Sequence, residues 1–238
     1  GGFIDRALEA FQEVVRLDRL IRYAFVNLQK LYEDQHQWAE AARVREQIAE
    51  IDSRPLEEDR QILGFLRNEM ASVQAASGDV AGAAKTFQDV INIDSRIAPA
   101  YLKLGDVRER QGNMTAAVEA WEALVQVVPE RAYLAFERLE RTYRALGAPR
   151  RFVDLCQRLV MRDPQDWQAR LALSRHLGAG GQHRQAFDLL LDALPHNPHG
   201  LVIHQEAWQA LIALGLDQGL VRKYVDLTRS AVFYLDPH

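Results

Sequence analysis

The residues with the greatest chemical reach in this chain are its seven histidines, its single cysteine and a few adjacent carboxylates. His196, His199 and His204 fall close together around the run His196-Asn197-Pro198-His199. Such a cluster could hold zinc, but a tetrahedral site takes about four ligands, and no cysteine or near carboxylate joins these three. They read as loop histidines. His176 and His183 flank the turn Gly178-Ala179-Gly180-Gly181. A phosphate-cradling loop would need a strand before it and a Lys-Ser/Thr step after it, and both are missing. The turn therefore reads as a connection between helices. Cys156 sits at a packing place of an apolar pattern, which suits a buried structural thiol. Glu33-Asp34 and Glu57-Glu58 lie on polar helical faces, and no nucleophile, base and orienting group fall into one set. The sequence thus predicts no catalytic residue, no metal ligand and no cofactor within this chain, and so not an enzyme.

The elements that carry these residues repeat. From Ala98 to Arg131, the residues Tyr101, Leu104, Gly105, Gly112, Ala117, Ala120, Trp121, Leu124 and Pro129 occupy positions 4, 7, 8, 15, 20, 23, 24, 27 and 32 of a 34-residue unit. This is the pattern of the tetratricopeptide repeat (TPR), two antiparallel helices per unit. Small residues at 8 and 20 let the helices approach, glycine at 15 ends the first helix, and a large residue at 24 fills the space between neighbours. Proline at 32 closes the second helix because it cannot continue the hydrogen-bond ladder. Related signatures start near residues 22, 64, 133, 167 and 201. Residues 1–21 read as the orphan second helix of a truncated repeat, with Phe3, Ala7, Phe11 and Val14 forming an apolar stripe widened by Leu8 and Val15. The expected fold is all-α: a right-handed superhelical solenoid of TPR helix-turn-helix repeats, one array over 1–238. Its N-terminal stripe is expected to support self-association.

Some units depart from the pattern. Positions 8 and 20 are Glu140 and Phe152 in the repeat from Tyr133, and Trp208 and Leu220 in the repeat from Leu201. Wider helix crossings, or a register shifted by one, are expected there. Between the repeats near 22 and 64 lies an insert from Arg54 to Gln61. Pro55 at its start and the acids after it suit the first turn of a lengthened helix.

Composition narrows the partners. The net charge is −4, from 29 basic and 33 acidic residues interspersed along the chain, which leaves no footprint for nucleic acid or an anionic membrane. No run approaches the ~20 apolar residues of a membrane span. One cysteine allows no intrachain disulfide and suits a reducing compartment. The chain opens Gly1-Gly2 without a methionine, as a fragment of a longer protein would. What remains is surface. In TPR arrays the first helices line the concave face, here through Tyr23, Lys30, Phe65, Asn68, Leu102, Asp106, Arg110, Arg141, Arg144 and Arg175. These are the expected partner-binding residues, mixed and acidic early and basic later. Arg138, Arg141 and Arg144 read either as a solvated arginine face offset by Glu137 and Glu140 or as a site for an acidic peptide.

Beyond the generic repeat, the chain resembles the cytoplasmic TPR portion of the lipopolysaccharide assembly protein B family. The resemblance rests on the opening Gly2-Phe3-Ile4-Asp5-Arg6-Ala7, the place of the insert, Gly78-Asp79-Val80 followed by Ala81-Gly82-Ala83-Ala84, and the ending Val232-Phe233-Tyr234-Leu235-Asp236-Pro237-His238. That ending looks like the lead-in to the family's zinc module, whose four cysteines are absent here, as is the family's membrane anchor. The resemblance implies an adaptor at the cytoplasmic face of the bacterial inner membrane. Its partners would be a membrane-bound AAA protease and the deacetylase of early lipid A synthesis, through which it would set lipopolysaccharide levels. A TPR scaffold in another envelope assembly, such as pilus or secretin biogenesis, is the other open reading.

Overall fold

The computed structural model describes residues 2–18, 21–52 and 57–233. Thirteen α-helices account for nearly all of them: α1 (Gly2–Leu17), α2 (Arg22–Asp34), α3 (Trp38–Ile51), α4 (Glu57–Ala76), α5 (Val80–Ile93), α6 (Ala98–Arg110), α7 (Met114–Val127), α8 (Phe136–Ala145), α9 (Arg150–Arg162), α10 (Trp167–Ala179), α11 (His183–Ala193), α12 (Leu201–Ala213) and α13 (Gln218–Phe233). They pair in sequence, α2 with α3, α4 with α5 and so on, each pair closing through a short turn. The helices form two compact units, Gly1–Ala135 and Phe136–His238.

In the first unit the turns recur with one backbone conformation. Gly78 and Gly112 hold positive φ angles of 93° and 77°, and the corresponding place before α3 is His36 at 56°. A left-handed residue ends the first helix, and glycine takes that conformation without the Cβ clash that other residues meet. The next residue then caps the second helix: the side chains of Asp79 and Asn113 accept from the backbone N–H of Gly82 and Ala116 at 2.9 and 3.0 Å. Between α6 and α7, Trp121 is fully buried and its Nε1–H donates to the Leu102 carbonyl at 3.1 Å. Gly105 makes this possible, since a Cβ there would run into the indole ring. One tryptophan and one glycine thus set the spacing of the pair.

The α4 helix runs 20 residues and begins well before Gly64, with Glu57, Glu58 and Asp59 in its first turn. Pro55 lies outside the described residues. Asp59 is not a solvated first-turn acid: it is buried and pairs with buried Arg45 of α3 at 2.8 Å. Leu8, Phe11 and Val15 of α1 pack on the core of Phe25, Leu28, Ile48 and Leu66, so part of the N-terminal stripe is covered. The side chain of Phe3 lies outside the described residues, and Ile4 and Leu17 are exposed.

The second unit shows what happens when the small positions are filled. α8 starts only at Phe136, because Pro129–Ala135 forms a 3-10 segment instead of α-helix. Phe152 is buried edge-on to Phe136, ring centroids 6.2 Å apart, and tilted against His176 at 5.5 Å. The next packing place along α9 is small, buried Cys156. Further on, Phe187, Leu190, Leu194, Ile203 and Leu211 form the core of α11 and α12, closed by Leu220 and Tyr224 of α13.

Candidate functional site

The residues expected on the partner-binding face are scattered in their fates. In the first unit, Tyr23 and Phe65 are 74% and 51% exposed, and Lys30 and Arg110 also reach solvent. Phe65 stands edge-on to Trp38 at 6.1 Å, so its ring is held by α3 while its outer face is open. Leu102 and Asp106 are half-buried. Asn68 needs correction: it is buried, its amide donates to Glu69 at 3.0 Å, and it cannot serve as a surface contact. Close by on α4, Ser72 accepts from Lys103 of α6 at 2.7 Å, and Lys103 stands 3.6 Å from Glu69. Arg110 donates to the Ala75 carbonyl at 3.1 Å. The polar groups between α4 and α6 are thus largely engaged with one another.

In the second unit two of the expected arginines, Arg144 and Arg175, are matched by carboxylates. Glu140 accepts from Arg144 at 3.0 Å and from His176 Nδ1 at 2.8 Å. Arg175 pairs with Glu206 at 2.7 Å. Arg141 is exposed and has its own interactions. This arrangement favours an arginine face neutralised from within over an open basic docking site. The sequence could have shown it. Arg175 and Glu206 are 31 residues apart and Glu140 and His176 are 36, both close to one repeat, so each pair joins successive first helices.

The groups with chemical reach are engaged in structure. Both ring nitrogens of His204 are used, Nε2 at 2.7 Å from the Pro198 carbonyl and Nδ1 at 2.6 Å from the Tyr224 hydroxyl. The carbonyl can only accept, so Nε2 donates to it, and in the neutral ring Nδ1 accepts from the tyrosine hydroxyl. Burial raises the Tyr224 phenol above its ordinary range, which keeps that donor protonated. Cys156 is fully buried, and its thiol is pushed up chiefly by desolvation and further by the carboxylates of Asp166 and Glu140. Thiolate, the reactive form, is therefore disfavoured. Among the described residues no three His, Cys, Asp or Glu side chains converge as metal ligands. An open cleft of about 520 Å³ beside α1, lined by Gln12, Val15, Arg16, Phe25, Gln47, Glu50 and Ile51, carries no nucleophile. Among the described residues no helix is long and apolar enough to cross a membrane.

Residues 99–131, which span α6 and α7, match the tetratricopeptide repeat. This helix pair is a TPR. No curated protein matches the sequence. Among solved structures, the chain is similar to MamA at 18% identity over 71% of this chain and 91% of that one, with a TM-score of 0.45. It is similar to YrrB, described as a TPR protein with an unusual peptide-binding site, at 14% identity over 83% and 97%, with a TM-score of 0.44. A third similar structure is the APC/C Cut9-Hcn1 hetero-tetramer, at 14% identity over 87% of this chain and 39% of that one, TM-score 0.43.

Proposed function

We propose that this chain is a non-catalytic scaffold that binds other proteins through the outward faces of its first helices. The observation that carries the reading is the pair Tyr23 and Phe65, large apolar side chains held open to solvent on ordered helices. Aromatic anchors of this kind contribute most of the energy of many interfaces, because they bury much area at little conformational cost.

The finer reading follows the family resemblance: an adaptor at the cytoplasmic face of the bacterial inner membrane, joining a membrane-bound AAA protease to the deacetylase of early lipid A synthesis. The test is binding of the immobilised chain to each purified protein. At least one should bind, and Tyr23→Glu/Phe65→Glu should weaken that binding tenfold or more. A chain that binds neither protein refutes the adaptor reading. Binding that the double variant leaves untouched removes these two residues from the site.

A further inference from the structure

The α12 helix differs from the other first helices in having almost no charge. Its sequence, LVIHQEAWQALIA, carries one carboxylate, Glu206, and that group is held by Arg175. Its histidine is bound at both nitrogens. The inner face, Ile203, Ala207, Ala210 and Leu211, is buried in the core. On the outer face Leu201 is 75% exposed, Ile212 64% and Trp208 43%, with exposed Gln205 among them. A helix that is apolar on both faces is ordinarily covered on both.

The outer residues are not scattered. Leu201, Gln205, Trp208 and Ile212 follow one another at intervals of four, three and four, which is the d-a-d-a seam of a coiled coil with one amide at an a place. Trp208 is anchored from behind, since its ring stands 5.7 Å from that of Tyr224, whose hydroxyl is fixed by His204. The seam is therefore rigid before anything binds.

We propose that this seam is a docking site for one amphipathic helix of a protein partner, presenting an uncharged apolar stripe of its own. The inference rests on the scaffold reading and extends it to a second surface. Three observations choose the occupant. The exposed side chains form one row along the α12 axis, which a helix laid alongside can cover with a row of its own. The face offers no charge, so a charged stripe would lose its hydration with nothing to pair with. Leu201, Trp208 and Ile212, with 41%-exposed Val202 at their edge, make an apolar patch on the order of a few hundred Å², well under the ~800 Å² per partner of a standard interface between folded proteins, which disfavours a second copy. A helix laid along about 16 Å of seam matches it.

The experiment uses the 238-residue chain and a fluorescent, hydrocarbon-stapled helical peptide with leucine at successive a and d places and glutamine elsewhere, read by fluorescence polarisation. The chain should bind it. A peptide with glutamate at the d places should bind at least tenfold more weakly, and Leu201→Glu/Ile212→Glu should raise Kd at least tenfold. The milder Leu201→Gln/Ile212→Gln pair should give the same direction, and circular dichroism should show both variants folded. Tyr23→Glu/Phe65→Glu should leave the peptide Kd within twofold, which separates this site from the one proposed above. No binding by the parent chain, or binding unchanged in both α12 variants, overturns the inference while leaving the scaffold reading to its own test. So does sedimentation that shows a dimer of the parent abolished by Leu201→Glu/Ile212→Glu, because the occupant would then be a second copy.

Discussion

Two tryptophans occupy opposite sides of the same kind of helix pair. In α6–α7, Trp121 comes from the second helix and is buried against Gly105 of the first. In α12–α13 the place of Gly105 is taken by Trp208, and the second helix offers Tyr224 where α7 offers Trp121. Both rings cannot enter the interface. Tyr224 stays buried and Trp208 is left 43% exposed, resting on the tyrosine at 5.7 Å. The small residue of the first helix therefore decides more than packing. Where Gly105 stands the pair closes on Trp121; where Trp208 stands in its place, its ring is left at the surface, where it can meet a partner.

The sharpest test of that contrast is the pair of truncations. Trp121→Ala should destabilise the chain by roughly 3–5 kcal/mol, because it leaves a cavity in a close-packed interior. Trp208→Ala should cost only about 1 kcal/mol, since much of its surface is already in water. Chemical denaturation followed by far-UV circular dichroism would measure both, and equal losses would show that the two interfaces do not differ as described. Gly105→Ala should fall between them, as its Cβ collides with the indole and forces α6 and α7 apart.

A second contrast concerns ion pairs. Arg45–Asp59 in the first unit has side chains 6% and 4% exposed, whereas Arg175–Glu206 in the second has 51% and 30%. Arg45→Met should cost about 3–5 kcal/mol by leaving the Asp59 carboxylate buried without its partner. The double change Arg45→Met/Asp59→Leu should recover most of that loss, because apolar side chains of similar volume avoid the desolvation of both charges. A double variant as unstable as the single one would show that the pair does more than neutralise two buried charges.

The repeat itself was legible in the sequence because its signals are local and redundant. Glycine at the turn, a small residue in the first helix and a large one in the second recur at fixed spacing, and Gly105, Gly112 and Trp121 each take the role that spacing implies. Less legible were features that depend on a neighbouring unit. Asn68 sits at a place that the repeat pattern puts on the open face, and only the packing shows that it is covered. Asp59 looks like an ordinary first-turn acid until Arg45 is seen opposite it. Arg45 did carry a signal, since it lies on the same helical face as Ala41 and Ile48, which are buried. The late start of α8 was not readable from Tyr133, whose repeat signature continues through a segment that folds as 3-10 helix.

Cys156 ties the packing argument to chemistry. It takes the place that Trp121 holds in α7, one helical turn beyond buried Phe152. Cys156→Ser should cost about 1–3 kcal/mol, since a buried hydroxyl would need a hydrogen-bond partner in an apolar slot. The native thiol should react with a disulfide reagent only as fast as the second unit opens. Raising the pH from 7 to 9 should hardly accelerate labelling of the folded chain, because burial holds the thiol well above its ordinary range. Rapid labelling of folded protein would place Cys156 at the surface and remove it from the core.

The smallest expected effect belongs to the exposed bridge that links α10 to α12. Arg175 and Glu206 are both open to water, so their attraction is screened and holding two long side chains in one geometry costs entropy. Arg175→Ala and Glu206→Ala should each change stability by less than about 1 kcal/mol, and a double-mutant cycle should give a coupling of roughly 0.2–1 kcal/mol that shrinks in high salt. The same cycle tests the face as a binding surface. If Arg175 is occupied by Glu206, removing Glu206 should free a guanidinium and increase the affinity of the chain for an acidic peptide such as oligoglutamate. Parent chain that already binds oligoglutamate strongly, and loses that binding with Arg175→Ala, would mean that the arginines are open to partners after all. The two units would then differ less in electrostatics than their pairing suggests.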